Sequence, residues 1–296
     1  MDTATGGGYS HVVSQCGFTL IELVVTIVVG SIVVAFMAMF IMIPVEAYTA
    51  QTRRAQLVDD ADSALRFMGR DIRGSLPNSV RVATSGSVTA LELLATLDAA
   101  RYADGGPVTN PALVLDFTAA DTAFATTVPF TQLKLPWSST SSYLVIYNVG
   151  VPGANAYQGA NVITPVSATP ITVQAGTGAT ANQNLVTFPS FQFAYASPQK
   201  RVYLVSGPVT YLCDTSAGTL TQYSGYSISY TQATSAATLM AAGASAALVA
   251  ADVAACTFTY LSGTAQRNAL VTLTLQLTQS GETVQLLYEV QTANAP

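Results

Sequence analysis

Charged side chains are scarce in this chain: Lys, Arg, Asp and Glu make up 9% of its 296 residues, against about a quarter in an average soluble protein. The formal net charge is -5, and the sequence contains no long block of basic residues. Contacts from Lys and Arg to phosphate supply most of the affinity of proteins for nucleic acids. We therefore expect no nucleic-acid partner.

Histidine is nearly absent as well, since the single one is His11, close to the start of the chain. Without a further histidine, the rest of the chain cannot build a Ser-His-Asp or Cys-His catalytic arrangement. No P-loop, HExxH or EF-hand pattern occurs, and Gly176-Thr177-Gly178 lacks the strand-to-helix context of a dinucleotide site. A carboxylate pair of the glycosidase kind stays open in principle. We predict no enzyme, no catalytic residue, no metal site and no cofactor.

What the chain has in excess is one long apolar run. Residues 18–43 read FTLIELVVTIVVGSIVVAFMAMFIMI and contain a single charged residue, Glu22. A helix rises about 1.5 Å per residue, so this run is long enough to cross a bilayer core of roughly 30 Å. The alternative is a buried core helix, but a run of this length and apolarity favours a membrane span. Pro44 follows the run and is predicted to kink or interrupt the helix.

A polar leader, residues 1–17, precedes the apolar run and ends in Gln15-Cys16-Gly17. An ordinary secretory signal is cleaved after its apolar middle part. In this chain the plausible processing site, Gly17, comes before the apolar run, so cleavage there would remove the leader and keep the anchor. The leader has no Lys or Arg, whereas Arg53 and Arg54 follow the run, which opposes the positive-inside tendency.

The segment GFTLIEL, residues 17–23, resembles the class III signal of type IV pilins and type II secretion pseudopilins. This resemblance implies that a prepilin peptidase cleaves after Gly17 and methylates the new amine on Phe18. It also implies a role for Glu22, which would neutralise the N-terminal amine of a neighbouring subunit during assembly. A carboxylate within a membrane span is costly and therefore a functional candidate. The alternative is that Glu22 simply lies in the headgroup region.

Beyond Pro44 the pattern predicts that the helix resumes with one apolar face. The apolar positions recur at spacings of three and four: Val58, Ala61, Leu65, Met68 and Ile72. Asp62 and Arg66 form a favourable i,i+4 pair, and we expect Gly74 to cap the helix before Pro77 blocks it. The acidic run of residues 59–62 indicates a solvated helix face rather than a metal site, because consecutive helical residues do not face each other.

The remainder of the chain is predicted to be rich in β-strands. Alternating apolar residues on both sides of Ser280-Gly281 indicate an antiparallel hairpin: Val271, Leu273, Leu275 and Leu277, then Val284, Leu286, Tyr288 and Val290. Weaker alternation predicts strands at Phe191, Phe193 and Tyr195 and at Tyr226, Ile228 and Tyr230. Residues 143–149 are predicted to form a buried strand. Residues 151–184 and 233–255 are predicted to be long loops, and ALVAADVAA in the second is a candidate short helix.

Cleavage after Gly17 would remove Cys16 and leave an even pair, Cys213 and Cys256. In an oxidising periplasm we expect these two cysteines to form a disulfide, with two buried free thiols as the alternative. Two cysteines without histidine or CxxC spacing are a poor ligand set for a metal ion.

Further stretches resemble minor pilins of the mannose-sensitive haemagglutinin (MSHA) biogenesis system, of the MshO type. They are residues 53–82, 91–105, 268–296 and the contexts of both predicted disulfide cysteines, VTYLCD and CTFTY. The J-type minor pseudopilin of type II secretion is the alternative resemblance. Both imply a subunit that starts or caps a filament, and a tip adhesin acting through loops 151–184 and 233–255 is a third possibility.

The resemblance implies an α+β fold, in which a long N-terminal helix packs on an antiparallel β-rich domain. The predicted boundaries are a leader at residues 1–17, a transmembrane and assembly helix at 18–43, an amphipathic helix at 44–76 and a periplasmic domain at 77–296. The implied partners are major and minor pilins, the prepilin peptidase and the pilus assembly platform. The implied location is the inner membrane of a Gram-negative bacterium, as a single-pass protein, and then a pilus or pseudopilus.

Overall fold

A computed structural model describes residues 17–105, 110, 113–177, 182–263 and 267–292, without the side chain of Ile43. Residues 1–16 of the predicted leader, including His11, lie outside the described residues, and so does Gly178 of the glycine-containing turn. The chain divides into two compact units between Thr52 and Arg53. We call the N-terminal one the smaller unit and the other the larger unit.

The first helix, α1, covers Leu20–Arg73 without a break. Pro44 lies inside it, so of the predicted kink or interruption at this residue, the interruption does not occur. A proline removes one backbone hydrogen bond, and the bonded turns on either side suffice to continue the helix. The helix ends at Arg73, directly before the expected cap Gly74, but Gly74 is not a left-handed cap because its φ is not positive. Instead, the Ser75 hydroxyl donates to the Ile72 carbonyl at 2.7 Å.

The part of α1 that belongs to the larger unit buries one face. Its buried apolar residues are Leu57, Ala61, Ala64, Leu65, Met68 and Ile72. The predicted stripe is confirmed from Ala61 onward, but Val58 is exposed and Leu57 takes its place. The predicted pair of Asp62 and Arg66 forms, with 2.6 Å between carboxylate and guanidinium.

Strands and short helices follow α1 in the larger unit. The strands are β1 (Arg81–Ser85), β2 (Val88–Tyr102), β3 (Asp121–Val128), β4 (Trp137–Ser139), β5 (Tyr143–Val145), β6 (Ile171–Ala175), β7 (Asn184–Phe191), β8 (Arg201–Asp214), β9 (Thr219–Ser224), β10 (Ser245–Ala250), β11 (Val253–Leu261), β12 (Ala269–Gln279) and β13 (Glu282–Thr292). A 3-10 helix covers Ala156–Gln158, and the second α-helix, α2, covers Ala236–Ala241.

The strands form two antiparallel sheets. The larger sheet has the order β10-β9-β8-β2-β3-β7-β6-β4, with β1 paired to β2 and β5 paired to β8. The smaller sheet has the order β11-β12-β13. The C-terminal part of α1 packs on these sheets, which confirms the predicted α+β architecture, a pilin-like one.

The predicted C-terminal hairpin is confirmed as β12 and β13. Ser280 and Gly281 both have positive φ, as a two-residue turn between these strands requires. Its inward residues on β12 are all buried: Val271, Leu273, Leu275 and Leu277. They join a core that also contains the buried face of α1 and residues of β2, β8, β9 and β11. A second core lies among β3, β6 and β7 and includes Phe124, Phe188 and Phe193.

The strands predicted from two aromatic patterns, at residues 191–195 and 226–230, are not formed as predicted. Phe191 ends β7, after which Phe193 is buried in the second core and Tyr195 lies against Tyr147, with 5.6 Å between their ring centres. Residues 226–230 form no strand either, because two of their carbonyl groups accept hydrogen bonds from the Arg81 guanidinium. The buried strand predicted at 143–149 is shorter, covering Tyr143–Val145.

Both segments predicted as long loops contain regular structure. The first, 151–184, holds the 3-10 helix and β6 and reaches the start of β7. The second, 233–255, holds α2 and β10 and reaches into β11. The ALVAADVAA stretch is therefore not a helix. It crosses from β10 of one sheet to β11 of the other, and Asp252 between them adopts a positive φ of 57°.

The predicted disulfide is present, and it joins the two sheets. Cys213 lies on β8 of the larger sheet and Cys256 on β11 of the smaller one. Their separation along the chain is 43 residues. Closing a loop of this length removes conformational entropy from the unfolded chain, which stabilises the folded state.

We predict that replacing both cysteines with serine lowers the free energy of unfolding by about 4 kcal/mol, the value for a loop of this size. The measurement is thermal or denaturant unfolding of the full-length protein in detergent, oxidised and reduced. Reduction should destabilise the wild type and leave the double variant unchanged. Equal stability of oxidised and reduced wild type would contradict the prediction.

Gly69 allows α1 to approach the smaller sheet closely. A Cβ atom built on Gly69 would lie 2.5 Å from Cε1 of Tyr288 and 3.3 Å from Cγ2 of Val290, both on β13. The Tyr288 ring is partly buried against the same core, and its hydroxyl accepts a 3.2 Å hydrogen bond from Arg73. A larger residue at position 69 would therefore push the helix and β13 apart.

Gly69→Ala is expected to cost about 1–3 kcal/mol through overpacking. A gain of about 1 kcal/mol in helix propensity offsets part of this cost, so the net destabilisation is at most about 2 kcal/mol. The matched control is Gly74→Ala, whose Cβ would meet nearest atoms at 3.6 and 3.7 Å, ordinary contact distances. The unfolding midpoint of both variants is the measurement, and the idea fails if Gly69→Ala is as stable as Gly74→Ala.

Candidate assembly segment

The predicted processing site lies just before the start of α1. Gly17, Phe18 and Thr19 are exposed and not helical, and a Cβ on Gly17 would meet no atom within 4 Å. Phe18 is 77% exposed. Gly17 and Phe18, neighbours in the sequence, thus lie in an accessible, irregular stretch, the kind of backbone that a peptidase can bind.

Thr19 caps the N-terminus of α1. The backbone N–H of Glu22 donates to the Thr19 hydroxyl at 3.3 Å, which is one of the two hydrogen bonds of a capping box. The spacing Thr-x-x-Glu also places the Glu22 carboxylate in the first helical turn, where the helix dipole favours negative charge. Local helix chemistry therefore gives Glu22 a favourable position even without a neighbouring subunit.

The hydroxyl groups of the apolar run are bonded to the helix itself. Thr26 donates to the carbonyl groups of Glu22 and Leu23, each at 2.9 Å, and Ser31 donates to that of Val28 at 2.8 Å. Because of these bonds, neither side chain would leave an unpaired hydroxyl group in an apolar medium. Glu22 is the one ionisable side chain between residues 18 and 43.

The smaller unit exposes the apolar part of α1. In the described part of the chain, α1 is the one helix whose length and composition would allow it to cross a membrane. Its most apolar 18-residue window has a mean hydropathy of 2.8, and none of that window is buried. Such a surface needs an apolar environment, which lipid or neighbouring apolar helices would supply.

Three polar side chains attach α1 to the larger sheet. The Tyr211 hydroxyl on β8 donates to Oδ2 of Asp71 on α1 at 2.6 Å. Gln222 on β9 donates from Nε2 to the same carboxylate oxygen at 2.9 Å and to the Tyr211 hydroxyl at 3.0 Å. Burial and the bond to Asp71 raise the pKa of Tyr211 far above its ordinary value. The hydroxyl therefore stays a neutral donor over the physiological range.

A second buried polar cluster surrounds Glu92 on β2. Arg81 donates from Nη2 to both carboxylate oxygens of Glu92 at 3.0 and 3.1 Å, and it stacks 3.6 Å above the ring centre of Tyr157. Burial raises the pKa of Glu92, which the nearby Arg81 partly opposes. The same guanidinium binds the carbonyl groups of Ser229 and Tyr230 at 2.8 and 2.7 Å. The cluster therefore fastens the segment after β9 to the sheet.

Among the residues that the structure describes, no group of three or more His, Cys, Asp or Glu side chains is arranged to hold a metal ion. In the acidic run of α1, Asp59 and Asp60 are exposed, and Asp62 is engaged by Arg66.

The comparisons with known proteins bear on the segment around Gly17. A family model described as the prokaryotic N-terminal methylation motif matches residues 13–38. The chain has a type IV pilin-like prepilin N-terminus. The match covers the end of the predicted leader, the predicted processing site and most of the apolar run, and it points to a structural pilin-like protein rather than an enzyme. It implies processing by a prepilin peptidase and assembly with other pilins. No curated protein and no solved structure matches the chain.

The residues that attach α1 were not singled out from the sequence. An isolated glycine inside a helical pattern is compatible with a C-terminal cap as well as with close packing, so the sequence does not identify the role of Gly69. Asp71 likewise looks like one more polar residue beside Arg70 and Arg73. Its partners are 140 and 151 residues away along the chain, and no local pattern reveals such a pairing.

Tyr211→Phe is expected to lower the free energy of unfolding by about 1.5–3 kcal/mol, the range for a hydrogen bond to a charged group. The control is Tyr260→Phe, because Tyr260 packs against the same core. Burial is the cause of the raised pKa of Tyr260, whereas the pKa of Tyr211 also reflects its bond to a carboxylate. Denaturant unfolding of the full-length protein compares the two variants. If both lose the same stability, the bond to Asp71 does not hold α1.

Proposed function

We propose that this chain is a minor pilin, or pseudopilin, that primes or caps assembly of a type IV pilus of the MSHA type. The observation that carries the proposal is the prepilin-like N-terminus on an exposed apolar helix whose one ionisable residue is Glu22. The resemblance of residues 53–82 and 268–296 to MshO-type minor pilins supports the choice of filament.

Processing would expose the amine of Phe18, four residues before Glu22. In an apolar surrounding, an unpaired carboxylate and an unpaired ammonium each carry a large desolvation cost, which falls when they pair. Within one chain the two groups lie at the same helix end, at the start of α1. Between chains, the amine of an incoming subunit would pair with the Glu22 of its neighbour, which would set the axial position of one helix against the next.

The rest of the chain suits a subunit exported to the periplasm. Cys213 and Cys256 are joined, as expected of a protein that folds in an oxidising compartment. We infer that α1 anchors the chain in the inner membrane before assembly and that the larger unit faces the periplasm. The partners would then be the prepilin peptidase, major and minor pilins and the assembly platform.

Intact mass spectrometry of the membrane-extracted protein, with and without the prepilin peptidase, tests the processing. The expected mass is that of residues 18–296 plus one methyl group and minus two hydrogens for the disulfide. The unprocessed mass should appear when the peptidase is absent. A full-length mass in both samples would overturn the proposal.

Glu22→Ala is expected to remain in the membrane but to be lost from sheared filaments, because the amine of its neighbour then has no counter-charge. The matched control is Glu46→Ala, which removes an exposed carboxylate from the same helix beyond the apolar run. Immunoblots of membrane and filament fractions give the result. Normal incorporation of Glu22→Ala, or equal loss of both variants, would refute the assembly role.

Deletion of the gene separates a pilus role from a role in secretion. We expect surface filaments to disappear while type II secretion continues, since the proposal assigns the chain to a pilus. Lost secretion with normal filaments would favour the J-type pseudopilin. Normal filaments with lost adhesion would favour a tip adhesin.

A further inference from the structure

A single side chain fixes the start of α1. Of the residues between Gly17 and Glu22, only Thr19 has a side chain that can accept a hydrogen bond. Its hydroxyl accepts one from the backbone N–H of Glu22 at 3.3 Å, and its carbonyl group accepts one from the N–H of Leu23 at 3.1 Å. Thr19 is therefore the N-cap of α1, and the helix begins directly after it, at Leu20.

This helix boundary lies just beyond the predicted cleavage site. The bond between Gly17 and Phe18 falls in the exposed, non-helical stretch that ends at Thr19. Within a helix, the carbonyl oxygen of Gly17 would instead be bonded to the N–H of Ile21, four residues later. Peptidases cleave exposed, irregular backbone in preference to helices. The position of the cap therefore decides whether the predicted cleavage site is available to a peptidase.

Loss of the cap at Thr19 would favour a longer helix. The next residue towards the N-terminus with a favoured capping side chain is Ser14. A helix that starts after Ser14 would include the predicted cleavage site. Two residues oppose this extension: Gly17, because glycine disfavours a helix interior, and Thr19, because its hydroxyl stabilises the shorter helix.

We propose that Thr19 is a positioning residue for the processing reaction, which keeps the bond between Gly17 and Phe18 outside the helix so that the prepilin peptidase can bind it. This inference rests on the proposed function, since it assumes that this bond is the one cleaved. The cap sets the fraction of chains whose cleavage site is non-helical. A smaller fraction raises the apparent KM and leaves kcat unchanged when substrate dissociation is faster than cleavage.

Cleavage of the full-length chain by purified prepilin peptidase in detergent micelles tests the proposal. Thr19→Val exchanges the hydroxyl for a methyl group of similar size and removes the cap. We expect kcat/KM to fall about fivefold, through KM, which is the factor that corresponds to a cap worth about 1 kcal/mol. The matched control is Thr26→Val, the same substitution two turns along the helix, where the hydroxyl donates to the carbonyl groups of Glu22 and Leu23. Its kcat/KM should equal that of the wild type.

Two further variants separate capping from direct recognition of the threonine side chain by the peptidase. Serine and asparagine are both good N-cap residues, but asparagine differs from threonine in shape. Thr19→Ser and Thr19→Asn should therefore keep the KM of the wild type. If both are cleaved as slowly as Thr19→Val, the peptidase recognises threonine itself and the proposal is wrong. It is also wrong if Thr19→Val is cleaved like the wild type, or if its loss is in kcat.

The wild type distinguishes failure of this inference from failure of the proposed function. A wild-type chain that the peptidase does not cleave would contradict the proposed function and this inference with it. A cleaved wild type together with an equally well cleaved Thr19→Val would contradict the inference alone. Formation of the disulfide between Cys213 and Cys256 in every variant verifies that the larger unit has folded.

Discussion

The packing of the C-terminal part of α1 is the contact on which the rest of the larger unit depends. Its buried face contributes to one core together with strands of both sheets. The approach to β13 is close enough to require glycine at position 69, and the Asp71 carboxylate is held by β8 and β9. Apolar burial supplies the larger part of such stabilisation, and the polar contacts fix how the helix is rotated and where along its axis it is held.

This arrangement explains why one helix can combine two unlike surfaces. In the smaller unit α1 has an exposed apolar surface with its hydroxyl groups bonded internally, and in the larger unit it has one buried face and one polar face. The first surface suits lipid or other helices, and the second suits a folded domain. A type IV pilin-like prepilin N-terminus fits the first surface, because the matched motif, residues 13–38, covers most of the apolar run.

Much of the fold was predictable because its strongest signals are local. The apolar run, the helical stripe from Ala61 onward and the hairpin around Ser280-Gly281 each follow from residues close together in sequence. Segments whose conformation depends on distant partners were not predictable. Residues 226–230 alternate as a strand does, but two of their carbonyl groups accept hydrogen bonds from Arg81. The ALVAADVAA stretch has helical propensity, but it connects the two sheets. The predicted processing residues follow from the sequence motif, and the disulfide pair follows from the cysteine count. Asp71, Tyr211 and Gln222, in contrast, are brought together only by the fold.

The disulfide also determines how the molecule would respond to a pulling force. Force applied between the two ends of the chain passes across the bond between Cys213 and Cys256 and bypasses the residues between them, which include β9, α2 and β10. A separation of 43 residues corresponds to about 150 Å of extended chain. This length stays unavailable to extension while the bond is intact. A subunit under tension would thus lengthen less, and the pulling force would not act directly on the pairing of β10 with β9.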